Sequence, residues 1–317
     1  MARTPLRVIL SRPRGFCAGV VRAIEIVDKS LDLYSGPVYV RHEIVHNRHV
    51  VAELGSKGAV FVEDLADVPD GARVIFSAHG VSKAVESKAK RRDLEVVDAT
   101  CPLVTKVHRQ AHRLHRLGYE ILLVGHAGHP EVEGTMGQLP GKIRLIQDVR
   151  DAVEVDVADP ARVAYVTQTT LSVDDTKEIV DILRKRFPNL AAPPTDDICY
   201  ATQSRQAAVK RLAERTDLVI VIGAANSSNS NRLVEVASSH GARAYRVESA
   251  SELKDEWFEG VETVTLTAGA SAPEYLVQEV VTYLRERYGA GIEEDADGAD
   301  EEVYFPLPKE LLAAASR

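Results

Sequence analysis

Short β-branched runs alternate with helical stretches along most of this 317-residue chain, and that alternation limits the fold more than any other feature. Runs rich in Val, Ile and Leu predict strands at 7–10, 38–41, 74–77, 121–125, 163–167, 218–223 and 264–267, with helices between most of them. This order predicts parallel sheets built from βαβ units and covered by helices. A barrel of eight repeats fits less well.

A coarser repeat emerges from the three cysteines, which lie 84 and 98 residues apart at Cys17, Cys101 and Cys199. Each opens a helix-like segment: CAGVVRAIEIV after the strand RVIL, CPLVTKVHRQA after LEVVDAT, and CYATQSRQAAVKRLA after the turn-rich PPTDDI. The expected organisation is three related α/β modules of roughly ninety residues. They span 14–101, 102–195, and 1–13 together with 196–288, followed by an acidic tail over 289–317.

The formal charge is −8, and seven acids (Glu293, Glu294, Asp295, Asp297, Asp300, Glu301, Glu302) fall in one stretch, so the body carries only about −1. That stretch predicts a mobile, solvated tail. A nearly neutral body with 5% aromatic residues offers neither the basic field nor the stacking platforms of a nucleic-acid binder. No apolar run reaches the ~18 residues of a membrane span, and the N-terminal stretch carries arginines around one short apolar block. A soluble cytoplasmic enzyme with no nucleic-acid or membrane partner is the expectation, and three cysteines without a secretion signal predict catalytic or metal-bound thiols rather than disulfides.

The predicted strands end in unusually polar loops: EIVHN, SAHGVS, GHAGHPEVEGT, TQTTLS, GAANSSNSN and TAGASAP. Ligands of open parallel sheets gather beyond the carboxyl ends of the strands. Glycines there allow close backbone approach, and His, Ser, Thr and Asn supply donors, an inventory suited to an anion with many oxygens such as a diphosphate. No Walker-type or GxGxxG loop is present. Taken singly, His46 or His79 fits a structural histidine as well as a ligand contact, and NSSNSN alone is ordinary turn chemistry.

Two histidine patterns imitate metal sites. In the first, His126, His129 and Glu131 supply nitrogen and oxygen donors, but Gly128 and Pro130 interrupt a helix there, and Glu131 is better used as a proton donor whose pKa is raised in a dry pocket. In the second, His108, His112 and His115 lie among Arg109, Arg113 and Arg116 and read as a solvated basic helix face.

The spacing of the cysteines matches no CxxC metal motif, and a lone cysteine is ordinarily a small buried apolar residue. Yet all three precede helices, whose N-terminal amides favour the thiolate. Three thiolates can hold a 4Fe-4S cluster with one iron left free of protein ligands, able to act on a substrate oxygen as a Lewis acid or to pass electrons.

RPRGFCAGVVRAIEI, HEIVHN, SAHGVS, VVDATCPLVTKVH, GHPEVEGTMGQ, TQTTLSVDDT, DDICYATQSRQ, NSSNSNRLVEVA and TAGASAPE closely resemble, in order, the motifs of the 4-hydroxy-3-methylbut-2-enyl diphosphate reductase family, over residues 8–288. The resemblance implies three pseudo-threefold related α/β modules with mainly parallel sheets around one central 4Fe-4S cluster held by Cys17, Cys101 and Cys199, whose open iron binds the substrate hydroxyl. It further implies diphosphate contacts at His46, His79, His129, Ser227, Ser228, Asn229 and Ser271, with Glu131 as the acid and Thr169 completing the proton network. Thr170 and Gln168 are supporting neighbours. The implied reaction adds two electrons and two protons to an allylic diphosphate, releases water and yields isopentenyl and dimethylallyl diphosphates. With no flavin or nicotinamide site evident, an external small electron donor such as a ferredoxin or flavodoxin is implied.

Some positions depart from the pattern of the family: Val21 where Asp is frequent, Ala224 and Ala225 before NSSNSN, and Gln203 and Ser204 in place of a Thr-Asn pair. None is an assigned ligand. Two other readings remain: a hydro-lyase using the same open iron without net electron transfer, and a non-enzymatic iron-sulfur sensor, which would not need six polar loops.

Overall fold

The structure, a computed structural model, describes residues 6–314. Residues 1–5 of the expected third module and 315–317 of the expected tail lie outside the described residues. The chain begins with β1 (Arg7–Leu10), α1 (Ala18–Leu33), β2 (Val38–Arg41), α2 (Arg48–Ser56), β3 (Ala59–Val62), β4 (Arg73–Phe76), α3 (Lys83–Arg91) and β5 (Glu95–Asp98). It continues through α4 (Pro102–Arg116), β6 (Glu120–Val124), α5 (Pro130–Met136), β7 (Ile143–Ile146), α6 (Val149–Glu154), β8 (Val163–Thr167) and α7 (Val173–Arg186). Last come α8 (Tyr200–Ala213), β9 (Leu218–Ile222), α9 (Ser228–Ser239), β10 (Arg243–Val247), β11 (Thr263–Ala268), α10 (Glu274–Tyr288), β12 (Gly291–Glu294) and α11 (Lys309–Ala314).

These elements form two compact units. One holds the chain up to Cys17, His46–Arg48 and Tyr200–Val303; the other holds Ala18–Val45, His49–Cys199 and the chain from Tyr304. The first contains a five-stranded sheet in the order β10-β9-β11-β1-β12. The second contains a four-stranded sheet, β3-β2-β4-β5, and a three-stranded sheet, β7-β6-β8. Every pairing is parallel, as the alternation of strand and helix predicts. The strands of the expected modules fall in these three sheets, one sheet per range, with β12 added from the acidic segment.

One order recurs in all three sheets. The first strand of each repeat (β9, β2 or β6) is flanked by the second (β10, β3 or β7) on one side and the third (β11, β4 or β8) on the other. A further segment then lies beside the third strand: β1 beside β11, β5 beside β4, and a single bridge from Ala191 to Ala164 of β8. That added segment is the one that leads to a cysteine. Cys17, Cys101 and Cys199 each stand immediately before a helix, α1, α4 and α8.

Apolar strand interiors explain the cores. β9 is buried at every position and packs with β1 and β11 against Leu276, Val277, Val280 and Leu284 of α10. In the other unit, Leu122 and Val124 of β6 face Ile179 and Leu183 of α7, while Ile121 and Leu123 on the opposite face meet Val107, Ala111 and Leu114 of α4. Successive residues of one strand thus serve two cores.

Four expectations change. The strands β3, β5, β7, β10 and β12 lie outside the predicted set: β5, β7, β10 and β12 mix polar with apolar residues, and the apolar run AVFV of β3 is only four residues long with Val60 exposed, so none carries the long apolar signal of a fully buried strand. Pro130 does not interrupt a helix but begins α5, since its missing N–H and fixed φ suit the first helical position; His126 and His129 still share no helix face. His108 does not lie on a solvated face: it is buried beneath the SAHG loop, where desolvation pulls its pKa down to about 4, while His112 bonds Gln138 (3.1 Å) and His115 is exposed.

The largest change concerns the acidic segment. In place of a mobile tail, residues 291–294 add β12 to the sheet beside β1, and Asp295, with no exposed side-chain surface, pairs with Arg211 and Arg215. Glu301 meets the buried guanidinium of Arg205 at 2.8 Å, and Asp300 meets Arg12. Arginines far away in the sequence neutralise acids that look like a solvated block when read in line.

Candidate active site

The loops after the first and third strands of each repeat leave neighbouring strand ends, at the point where the chain crosses from one side of the first strand to the other. Such a switch point opens a crevice for ligands. His46, His129 and Ser227 follow β2, β6 and β9 by the same number of residues, five. His79, Thr170 and Ser271 likewise each stand three residues past β4, β8 and β11. The candidate binding residues are therefore repeats of two positions, presented by three sheets.

In the unit that carries β6 and β8, Glu131 lies in the first turn of α5 and is 3% exposed. Its Oε1 accepts the Thr169 N–H at 2.7 Å and its Oε2 accepts the Thr169 hydroxyl at 2.9 Å. Burial pushes the Glu131 carboxyl up to about 7, against the two bonds from Thr169 and with the help of the Asp197 charge. A backbone N–H can only donate, so Oε1 must stay an acceptor, and the proton of the neutral acid belongs on Oε2, facing the Thr169 hydroxyl.

His129 caps α5, its Nδ1 accepting the Glu131 N–H at 3.1 Å. The neutral ring therefore carries its hydrogen on Nε2, as a donor. Its edge meets the ring of His79 at 5.8 Å between centroids, and the Ser77 hydroxyl stands 3.3 Å from His79 Nδ1. Gly80 follows with φ +78°, and a Cβ there would lie 2.8 Å from the His108 ring, so only glycine lets the loop rest on His108. Gln168 ties the remaining loops together, its Oε1 accepting the His126 N–H at 3.1 Å and its Nε2 donating to Thr170 Oγ1 at 3.0 Å.

In the other unit, Ser227 caps the twelve-residue helix α9 by accepting the Ser230 N–H at 3.3 Å. Ser227, Ser228 and Asn229 are all buried at that positive helix end, a setting that favours an anion. Asn229 Oδ1 accepts the Ala270 N–H at 3.0 Å, and the Ser271 hydroxyl donates to the His46 carbonyl at 3.0 Å. Here the structure brings together Asn229 with the TAGAS loop, and Ser271 with His46.

The cysteines form no disulfide and are half-buried. Cys17 belongs to the first unit, Cys101 and Cys199 to the second. Among the described residues no group of three or more His, Cys, Asp or Glu side chains is gathered to hold a metal ion. The donor set nevertheless suits an iron-sulfur cluster in its chemistry and in its backbone setting: each thiol precedes a helix, and each cysteine N–H is held by one equivalent carbonyl. Those carbonyls are Ala270 for Cys17 (3.1 Å), Ala78 for Cys101 (3.0 Å) and Thr169 for Cys199 (3.0 Å), each two residues past the third strand of its repeat.

Several contributing residues escaped the reading of the sequence. Ser230 is fully buried between Gly223 and Gly269, where a Cβ on either glycine would fall about 2 Å from its hydroxyl oxygen, so the two glycines let the polar loops close on α9. Lys106 of α4 pairs with the buried Asp197 at 3.2 Å and donates to the carbonyls of Thr195 and Asp196, while Asp197 Oδ2 accepts the Thr167 N–H at 3.2 Å. The charged pair so fastens the approach to Cys199. The two acids Asp196 and Asp197, one residue removed from Cys199 in DDICY, are the available signal.

A family model described as LytB protein matches residues 8–285. The chain is 56% identical over 310 residues to a Psychrobacter protein named 4-hydroxy-3-methylbut-2-enyl diphosphate reductase, covering 96% of this chain and 97% of that one. It is 59% identical over 311 residues to a protein of the same name from Phenylobacterium zucineum, covering 98% and 99%. Among solved structures, the E-1-hydroxy-2-methyl-but-2-enyl-4-diphosphate reductase of Plasmodium falciparum superposes with a TM-score of 0.93 at 38% identity, over 98% of both chains. A second, named (E)-4-hydroxy-3-methyl-but-2-enyl diphosphate reductase, the terminal enzyme of the non-mevalonate pathway, gives 0.64 at 36% identity over 89% of this chain and 99% of that one. Motifs, sheets and whole-chain similarity agree, and the chain belongs to the LytB protein family.

Proposed function

We propose that this chain reductively dehydroxylates 4-hydroxy-3-methylbut-2-enyl diphosphate to isopentenyl and dimethylallyl diphosphate, the last step of the methylerythritol phosphate route to isoprenoids. What carries the reading is the buried acid Glu131, held by Thr169, whose carbonyl in turn holds the Cys199 N–H. Cys17, Cys101 and Cys199 are assigned as ligands of one 4Fe-4S cluster, in a cytoplasmic enzyme whose three sheets with their helices make three modules, 14–101, 102–195 and 1–13 with 196–288. When bound, such a cluster supplies two electrons in succession and a Lewis-acidic iron. An external carrier such as a ferredoxin or flavodoxin delivers the electrons.

The chain's own residues do the rest. Ser227, Ser228, Asn229, Ser271, His46, His79 and His129 offer donors to the diphosphate, with Thr170 beside them, and so fix the orientation of the allylic alcohol. Glu131 keeps its proton on Oε2 near neutral pH, and the Thr169 hydroxyl passes that proton toward the departing oxygen, which leaves as water. Two electrons and a second proton complete the product, and protonation at either end of the allyl unit gives the two isomers.

Anaerobic Mössbauer spectra of iron-57-labelled protein, with and without the hydroxylated substrate, test the assignment together with a product assay. The expected result is a 4Fe-4S signal with one iron perturbed by substrate, and isoprenoid diphosphates formed only with a reductant. Water loss without reductant identifies a hydro-lyase instead, and a reconstituted protein without a cluster removes the three cysteines from the mechanism. A pH profile tests Glu131 separately. A carboxyl with pKa about 7 is protonated below that pH, so turnover falls as pH rises through about 7. A flat alkaline limb to pH 9 would remove Glu131 as the proton donor.

A further inference from the structure

The residues whose carbonyls hold the three cysteine N–H groups have amides of their own, and the partners of those amides are not the same. The Thr169 N–H donates to Glu131 Oε1 at 2.7 Å, the Ala270 N–H to Asn229 Oδ1 at 3.0 Å, and the Ala78 N–H to the backbone carbonyl of Ile44 at 3.2 Å. Glu131 and Asn229 stand at the same place in their repeats, seven residues past β6 and β9. In two of the three repeats a buried polar side chain thus grips the residue that in turn grips a cysteine.

Resting on the cluster assignment above, we infer that Asn229 is a positioning residue for Cys17: through Ala270 it fixes the peptide that bears this thiol, in addition to any contact with substrate. The orientation of its amide is determined. The Ala270 N–H can only donate, so Oδ1 faces it, and Nδ2 then donates to the hydroxyl of fully buried Thr202 at 3.2 Å. Asn229 itself is 3% exposed, which leaves it little freedom to turn. With the side chain gone, the Ala270 N–H loses its acceptor and the loop its anchor. The Ala270 carbonyl can then no longer hold the Cys17 N–H in one place. The potential of an iron-sulfur cluster follows the hydrogen bonding and solvation around its sulfurs, so a displaced Cys17 changes the cluster even before substrate binds. In the repeat of Cys101 the backbone carbonyl of Ile44 takes the side chain's place.

Three variants separate positioning from binding: Asn229→Ala, Asn229→Asp and Ser228→Ala. Hydrogen exchange of the peptide spanning 268–272 is read by mass spectrometry in the apoprotein, and midpoint potential and g values are read in the substrate-free, reconstituted protein. Asn229→Ala is expected to speed exchange at Ala270 on the order of tenfold, the effect of losing one hydrogen bond, and to shift both the potential and the g values. Asn229→Asp keeps an acceptor for Ala270, so exchange and spectrum stay near wild type while KM rises from repulsion of the diphosphate. Ser228→Ala leaves the Asn229–Ala270 bond in place and raises KM alone. Wild-type exchange, potential and g values in Asn229→Ala, or an Asn229→Asp protein as perturbed as Asn229→Ala, overturns the inference. Failure of the wild-type chain to bind a cluster is a different result: it overturns the reading of the three cysteines, and the exchange experiment on the apoprotein still decides whether Asn229 holds Ala270.

Discussion

Replacing Glu131 by Gln is expected to lower turnover on the order of 10²–10⁴-fold, the usual contribution of a positioned general acid, while leaving the cluster spectrum unchanged. The geometry separates the two effects. Gln offers a carbonyl oxygen of the same reach, which still accepts the Thr169 N–H, and the Thr169 carbonyl continues to hold Cys199. What disappears is the proton on Oε2 and its path through the Thr169 hydroxyl. Single-turnover reduction with a chemical reductant, followed by product analysis, is the measurement of choice because it leaves out electron delivery by a partner. Wild-type turnover in Glu131→Gln would take the carboxyl out of the mechanism.

The second large effect concerns stability. Arg205 is 1% exposed, and the two terminal nitrogens of its guanidinium donate to Glu301, to the Ala201 carbonyl and to the Gly15 carbonyl, each at 2.8 Å. Glu301→Ala removes the carboxylate that pairs with this buried cation, and such a loss costs about 3 kcal/mol or more. Thermal unfolding of the apoprotein should show it as a clear drop in midpoint. The double variant Glu301→Leu/Arg205→Met should recover most of the loss, because a buried pair replaced by apolar residues leaves no stranded charge. Glu293→Ala is the contrast. Its partner Arg7 is 60% exposed at the side chain, so the pair is solvated and its loss costs less than about 0.5 kcal/mol. If both single variants were equally mild, the acidic segment would be the solvated tail that its composition suggests.

Arg205 also connects that segment with the loop before Cys17. Through the Gly15 carbonyl it holds the turn that delivers the cysteine to the start of α1, two residues before the thiol. A run of acids that reads as a solubility device therefore supports the turn before Cys17. Val21, a departure from the family pattern, is 37% exposed in the first turn of α1, and Ser204, another, bonds Glu301 and the Tyr200 carbonyl. The second departure thus belongs to the contacts of the acidic segment.

The sequence alone determined the parallel α/β character, because buried strands such as LVIVI and EILLV are continuous apolar runs that leave few alternatives. It also determined the chemical inventory. The cysteines stand at helix starts and the polar loops at strand ends, both legible because these are local relations along the chain. Only the tertiary structure decided the rest. Whether an acid is solvated or buried depends on which arginine it meets, and Asp295 meets Arg211 and Arg215 across some eighty residues. Whether a histidine is basic or neutral depends on what covers it, and the loop ending at Gly80 covers His108. The raised pKa of Glu131 and the grip of Asn229 on Ala270 are likewise products of burial and of contacts between segments distant in sequence. Local pattern fixes which groups the chain possesses; desolvation and long-range pairing fix what those groups can do.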